Sequence, residues 1–176
     1  MEPELTIRLA AREDIPLLIR WRKAMMQDIT KADEAKIAGS LAEFTPWLQG
    51  MMAQPGRLAA FIGEVEGEPC ACAIVWVHEW YPGLADKSTR RGYLFNVYTE
   101  PAWRLRGFAG RVVRQSVVWL REQGVGIVAL HASEYGQSIY AREGFKPPNM
   151  PEMTLRIEQD PREALQTFET AGNREE

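Results

Sequence analysis

Apolar and polar side chains alternate over Leu5–Leu9, the period of a strand with one buried face. From residue 14 the period lengthens: Ile15, Leu18, Ile19, Arg22 and Met25 recur at helical spacing, with acids in the first turn and Pro16 near the start, so a helix is predicted over residues 14–26. Residues 31–39 (KADEAKIAG) read as a polar connection, and a second helix is predicted over residues 41–53, with Pro46 constraining its first turn and Pro55-Gly56 closing it. Two strand-like runs, residues 58–66 and 69–79, flank the turn Glu66-Gly67-Glu68 and predict a hairpin. Residues 91–99 form another strand, nearly continuous in β-preferring residues except for Asn96. After a basic, glycine-containing loop, Val113, Val117 and Leu120, with Val112, Ser116 and Trp119 alongside, mark the core stripe of a helix. Residues 126–132 read as a buried strand and residues 153–157 alternate as a last one. Asp160, Pro161 and Glu163 are the start signals of a short acidic helix.

This order makes an α/β fold: a mixed, mostly antiparallel sheet flanked by helices, in which the strands at 91–99 and 126–132 are joined through a helix and must be parallel. The corner between the first of them and its helix would lie at the carboxyl end of a strand, where open α/β sheets bind ligands.

Residues 104–110 of that corner read RLRGFAG. Small residues let backbone amides approach a ligand, and the first amides of a helix lack internal partners and carry about half a positive charge. Arg104, Arg106 and Arg111 add full charges, so the corner is a candidate phosphate cradle. Arg114 and Arg121 lie on a solvated face instead. Neither GxxxxGK[ST] nor GxGxxG fits. What fits is R-x-x-G-x-A at Arg104, Gly107 and Ala109, directly after Val97, Tyr98 and Thr99. This resembles the acyl-CoA pyrophosphate loop of the GNAT acetyltransferase superfamily. Residues 133–145 (SEYGQSIYAREGF) add the second motif of that superfamily, with Tyr140, Gly144 and Phe145 in place, Ser133 where asparagine is usual and Gly136 where a small residue is usual.

The resemblance implies a single N-acetyltransferase domain over residues 1–158 followed by a short acidic helix or tail over 159–176. It implies acetyl-CoA as cosubstrate, held by Val97, Tyr98, Thr99, Arg104, Arg106, Gly107, Ala109, Gly110, Arg111 and Ser133. It makes Tyr140 the hydroxyl that meets the departing sulfur, and the region of Trp21, Arg22, Met25, Met26 and Asp28 the acceptor side. In the resembled fold the strand carrying Asn96 bulges, and Asn96 either holds the bulge or faces the acceptor. The expected acceptor is the primary amine of a small molecule or peptide. The alternative is a non-catalytic acyl-CoA sensor, and a nucleotide-binding fold of another kind would require ATP or NAD to bind in preference.

A base must take the proton of the acceptor, because exposing the lone pair of a lysine-like amine at pH 7 costs roughly 4 to 5 kcal/mol. Glu79, His78, Glu100, Glu134 and His131 all sit near predicted strand ends, and Glu79 is taken as the candidate. His78, Glu79, Trp80 and Tyr81 either line a pocket or close a loop. A phenol near pKa 10 is a poor acid toward a thiolate near 8.5, uphill by about 2 kcal/mol, so Tyr140 serves first as a hydrogen-bond donor.

The remaining composition narrows the setting. At 176 residues the chain suits one domain with a sizeable core. A net charge of −3 argues against bulk nucleic-acid or anionic-membrane partners. MEPELTIR is no secretory leader and no apolar run approaches membrane-spanning length, so a cytoplasmic protein is expected. Cys70 and Cys72, two apart on a predicted strand, would share a face as small core residues, and no metal site is expected. An edge strand and the terminal helix could support a homodimer.

Overall fold

The computed structural model describes residues 4–84, 86–155 and 157. β1 (Leu5–Leu9) leads into α1 (Ile15–Ile29) and α2 (Glu34–Met52), followed by β2 (Leu58–Val65), β3 (Glu68–Glu79) and β4 (Arg90–Thr99). Then come α3 (Phe108–Glu122), the two-residue β5 (Val128–Ala129) and α4 (Gln137–Arg142). The sheet order is β1-β2-β3-β4-β5, antiparallel throughout except for the parallel β4–β5 pair, as the sequence predicts. All these elements belong to a unit ending at Phe145, and the described residues of the second unit, from Lys146 on, form no helix or strand. Among the described residues, no helix is long and apolar enough to cross a membrane.

The sheet separates two cores. On one face α3 buries Phe108, Val112, Val113 and Leu120 against Ala71, Ala73, Val75, Val77 and Leu94. Each such aliphatic side chain contributes about 1.5 to 3 kcal/mol. Gly92 permits this packing, since a Cβ there would come within 3.0 Å of both Leu120 methyls. Ser116, fully buried, donates its hydroxyl hydrogen bond back to Val112 O at 2.8 Å. On the other face α1 and α2 bury Leu18, Trp21 and Leu48 against Ile62, Cys72, Ile74 and Tyr98.

Four local expectations are corrected. α2 begins at Glu34, not 41: Asp33 caps it by accepting from Lys36 N at 2.8 Å, and Pro46 lies inside the helix rather than in its first turn. The segment read as polar supplies Ile37, 1% exposed, on the same inner stripe as Leu48. The strand at 126–132 shortens to Val128–Ala129, which pairs with β4 at Gly92 and Tyr93, whereas β4 itself runs on to Thr99. Residues 153–155 and 157 form no strand; Met153, Leu155 and Ile157 are exposed, and alternation without an edge to pair with buries nothing. Cys70 and Cys72 do not share a face. A register shift opposite Gly63 and Glu64 inserts Cys70 as an extra residue, which packs on the α3 side while Cys72 packs under α1 and α2. The expected helix at residues 160–163 lies outside the described residues.

The hairpin turn is a two-residue loop with Glu66 at φ 53° and Gly67 at φ 84°, the pairing of left-handed residues that matches strand twist.

Candidate active site

β4 is the element on which the site is built. Opposite Ile74 and Cys72 it spends an extra residue, Phe95 pairing with the first and Tyr98 with the second. The bulge is held by Asn96 at φ 53°, 3% exposed, whose side-chain amide lies 3.8 Å from Cys72 Sγ while the Cys72 thiol donates to Asn96 O at 3.3 Å. Asparagine is among the few side chains that tolerate this conformation. Asn96 Oδ1 and Thr99 Oγ1 are buried without a hydrogen-bond partner. From Leu94 onward no strand among the described residues pairs with β4 on the β5 side, which leaves its backbone there as a candidate ligand edge.

Beyond Thr99 a short 3-10 turn, Pro101–Trp103, carries the chain to the helix start. Leu105 at φ 63° and Gly107 at φ 73° are both left-handed, and the double reversal aims the first turn of α3 back at the strand end. Arg111 N is the first helical amide to reach a carbonyl, Gly107 O at 3.2 Å, so the amides of Phe108, Ala109 and Gly110 precede the ladder. A Cβ on Gly107 would meet nothing within 4 Å, so glycine is favoured there by its left-handed φ and not by crowding.

The three arginines of the corner are not equivalent. Arg104 pairs with Asp28 at 2.5 Å and donates to Thr99 O at 3.0 Å, tying α1 to the end of β4. Arg111 donates to Leu5 O at 2.7 Å. Arg106, exposed and stacked 5.1 Å over Trp103, has no carboxylate partner among the described residues. Two of the sequence's phosphate candidates therefore hold the frame, and the third stands open at the corner.

α4 brings in the second motif. Its Glu143, at the C-cap, forms a two-pronged pair with Arg114, both contacts 2.9 Å, and presses against α3 where a Cβ on Gly110 would come within 2.9 Å of its carboxylate. Ser133 Oγ accepts from Gly136 N at 3.3 Å and shapes the turn before α4. Gly136 is demanded by contact: a Cβ would lie 2.8 Å from the Tyr140 ring. The ring of Tyr140 packs edge-on against Phe145 at 5.9 Å, and burial pushes its phenol pKa up, so the hydroxyl stays protonated and able to donate.

Val97 packs toward α3, whereas Tyr98 is buried beneath α1 at 6.4 Å from Trp21. Glu100 accepts from Trp21 Nε1 at 2.5 Å and lies 3.5 Å from Arg20, so it is engaged in holding α1.

Glu79 is not brought to this site. It pairs with Arg90 at the start of β4, nine positions before Thr99, roughly 30 Å along the strand at about 3.3 Å per residue. Its carboxylate is 89% exposed, and its ion partner is Arg57 at 3.8 Å. With His78, Trp80, Thr89 and Arg90 it lines a shallow cavity of about 480 Å³ at that opposite end. Strand ends look alike in a sequence, and only the antiparallel register separates them.

His131 is placed differently. Two residues beyond β5, its Nδ1 is hydrogen-bonded to the hydroxyl of Tyr93, the last β4 residue that β5 pairs. Tyr93 in turn neighbours Phe95, centroids 6.3 Å apart, on the α1–α2 face. Sequence reasoning missed the surface that continues from there: Phe44 and Trp47 of α2 stand 6.2 and 6.1 Å from Phe95, and Trp76 of β3 is 6.0 Å from Trp47. The available signal was the period of two in Trp76, His78 and Trp80 and in Tyr93 and Phe95.

The profile of the family described as the Acetyltransferase (GNAT) family matches residues 20–145. A GCN5-related N-acetyltransferase from Ralstonia eutropha JMP134 is 30% identical, with a TM-score of 0.79 over 88% of this chain and 99% of that one. A predicted acetyltransferase from Clostridium acetobutylicum, solved with acetyl-CoA, is 27% identical with a TM-score of 0.75 over 86% and 96% of the two chains. Glucosamine-6-phosphate N-acetyltransferase from Arabidopsis thaliana, 17% identical with a TM-score of 0.61 over 88% and 99%, shares the fold. No curated protein sequence matches this chain. The profile match spans the bulged strand, the corner and α4 together, and on that ground the chain belongs to the GNAT acetyltransferase family.

Proposed function

We propose that this protein transfers an acetyl group from acetyl-CoA directly to the amine of a small molecule or peptide. The observation that carries this is the continuity of the site: among the described residues β4 runs past its β5 pairing from Leu94 on, bulges at Asn96 and ends at a helix start whose first amides precede the helical ladder. No observation favours the non-catalytic sensor, whereas the neighbour at 30% identity is a GCN5-related N-acetyltransferase and the one at 27% a predicted acetyltransferase solved with acetyl-CoA.

The residues fit the cosubstrate. The amides of Phe108, Ala109 and Gly110 and the guanidinium of Arg106 suit a pyrophosphate. The open backbone of β4, with Thr99 Oγ1 buried and unpartnered, suits an amide-bearing arm. When bound, acetyl-CoA supplies an activated thioester carbonyl and a thiol leaving group. The protein's own tasks are then to orient the acceptor, take a proton from its amine and hold a proton for the sulfur.

Tyr140 performs the last task as a hydroxyl donor kept protonated by burial. His131, oriented by Tyr93, is the acceptor of the amine proton, replacing Glu79. Imidazole is the side chain suited to exchanging protons near neutrality. Such positioned acid–base groups contribute about 10²- to 10⁴-fold each.

Thermal unfolding of the purified protein with acetyl-CoA, with ATP and NADH as controls, tests the cosubstrate. Stabilisation of about 2.7 kcal/mol at roughly 100 times the dissociation constant is expected with acetyl-CoA alone. No shift at millimolar acetyl-CoA overturns the proposal.

A further inference from the structure

Arg22 sits inward on the α1–α2 face without a counter-charge. Arg8, Arg20, Lys23, Arg57, Arg104 and Arg114 each reach a carboxylate, whereas among the described residues none pairs with Arg22. Its guanidinium carbon lies 3.9 Å above the centroid of Phe44, and its Nε is buried with no hydrogen-bond partner. Burial works against its charge, lowering its pKa from the ordinary arginine value. Trp76 Nε1 is a second buried donor without an acceptor, on a ring joined to Phe44 through Trp47, which stands 5.5 Å from Phe44 and 6.0 Å from Trp76.

The surroundings are flat and apolar. Phe44 meets Phe95 edge to face, and Phe95 neighbours Tyr93, whose hydroxyl holds His131. Trp47 is 37% exposed, so the wall is reachable from solvent. The surface therefore offers aromatic faces with orphan donors, one of them a full cation. A stacked guanidinium has its in-plane N–H groups left to present, and their geometry matches a carboxylate.

We propose that this surface sets acceptor specificity: Arg22 binds a carboxylate of the acceptor while Phe44, Trp47, Trp76 and Phe95 hold a flat apolar body, so that the preferred acceptors are amines bearing a carboxylate on an aromatic frame. The inference rests on the acetyltransferase proposal, because it takes the α1–α2 face as the acceptor side. Arg22 also disfavours polycationic amines, whose charges it repels, and its own charge helps a bound ammonium lose its proton.

The test is a titration of CoA-saturated protein with phenylacetate, 3-phenylpropionate and 4-phenylbutyrate, each against the alcohol of the same length, read by tryptophan fluorescence. At least one acid is expected to bind about tenfold or more tighter than its alcohol, the scale of one charge-assisted hydrogen bond. Arg22→Met is expected to abolish that preference, and Arg22→Lys to restore it only in part. Acids and alcohols binding alike in the wild type, or a preference unchanged in Arg22→Met, overturns the inference without needing the variants to be fully stable. These results are separable from failure of the acetyltransferase proposal, which is read by acetyl-CoA binding alone.

Discussion

The two faces of the sheet carry opposite kinds of chemistry. On the α3 face, the proposed anion site draws on the backbone amides at Phe108–Gly110 and one arginine without a carboxylate partner among the described residues, Arg106, all close in sequence. On the α1–α2 face, Arg22, Phe44, Trp47, Trp76 and Phe95 come from α1, α2, β3 and β4 and meet only when the chain is folded. The first is a backbone device that many side chains would tolerate; the second is a side-chain device in which each residue counts. A cosubstrate shared across a family is thus suited to the first, and a selected acceptor to the second.

The largest effect expected from breaking one face alone is that of Tyr140→Phe, about 10²-fold or more in transfer rate, with acetyl-CoA affinity retained in a parallel titration. Next, Leu120→Ala on the α3 face and Leu48→Ala on the other, both 0% exposed, should each cost about 2 to 5 kcal/mol in denaturant unfolding. Similar losses would mean that the faces differ in chemistry and not in packing. Gly107→Ala, at φ 73° with no steric neighbour, should cost about 1 to 2 kcal/mol from backbone strain alone and weaken acetyl-CoA binding in the same titration.

The smallest expected effect distinguishes the faces by their thiols. Burial pushes the thiol pKa of Cys70 up to about 11 and that of Cys72 up to about 12, so both are protonated at pH 8 and alkylation should wait on local opening. Because both values are raised, the stability they contribute is fully present below the ordinary thiol range and is lost as pH rises through 11 to 12. Acetyl-CoA should slow labelling of Cys70, on the α3 side, more than labelling of Cys72, as read by mass spectrometry after partial alkylation.

The division also explains what the sequence made legible. The corner could be found because strand, glycines, arginines and helix stripe fall within residues 91–121. The β4–β5 parallel pair followed from that helix and the apolar run after it, residues 126–132. The aromatic wall was illegible because its members are scattered from Phe44 to Phe95, and each alone reads as core. Glu79 was misjudged for want of register, and the start of α2 because Asp33-Glu34 read as a polar linker instead of a cap. The fates of Arg104 and Arg111 were equally hidden, since Asp28 and the carbonyl of Leu5 reach them only across the fold.

The account's central claim is that cosubstrate and acceptor are held by different faces, and calorimetric titration of acetyl-CoA into the wild type, Arg106→Glu and Arg22→Met tests it most directly. The account predicts that Arg106→Glu, by placing a negative charge at the corner, weakens acetyl-CoA about tenfold or more, and that Arg22→Met leaves it within about twofold. Equal loss in both variants, or no loss in Arg106→Glu, would contradict it.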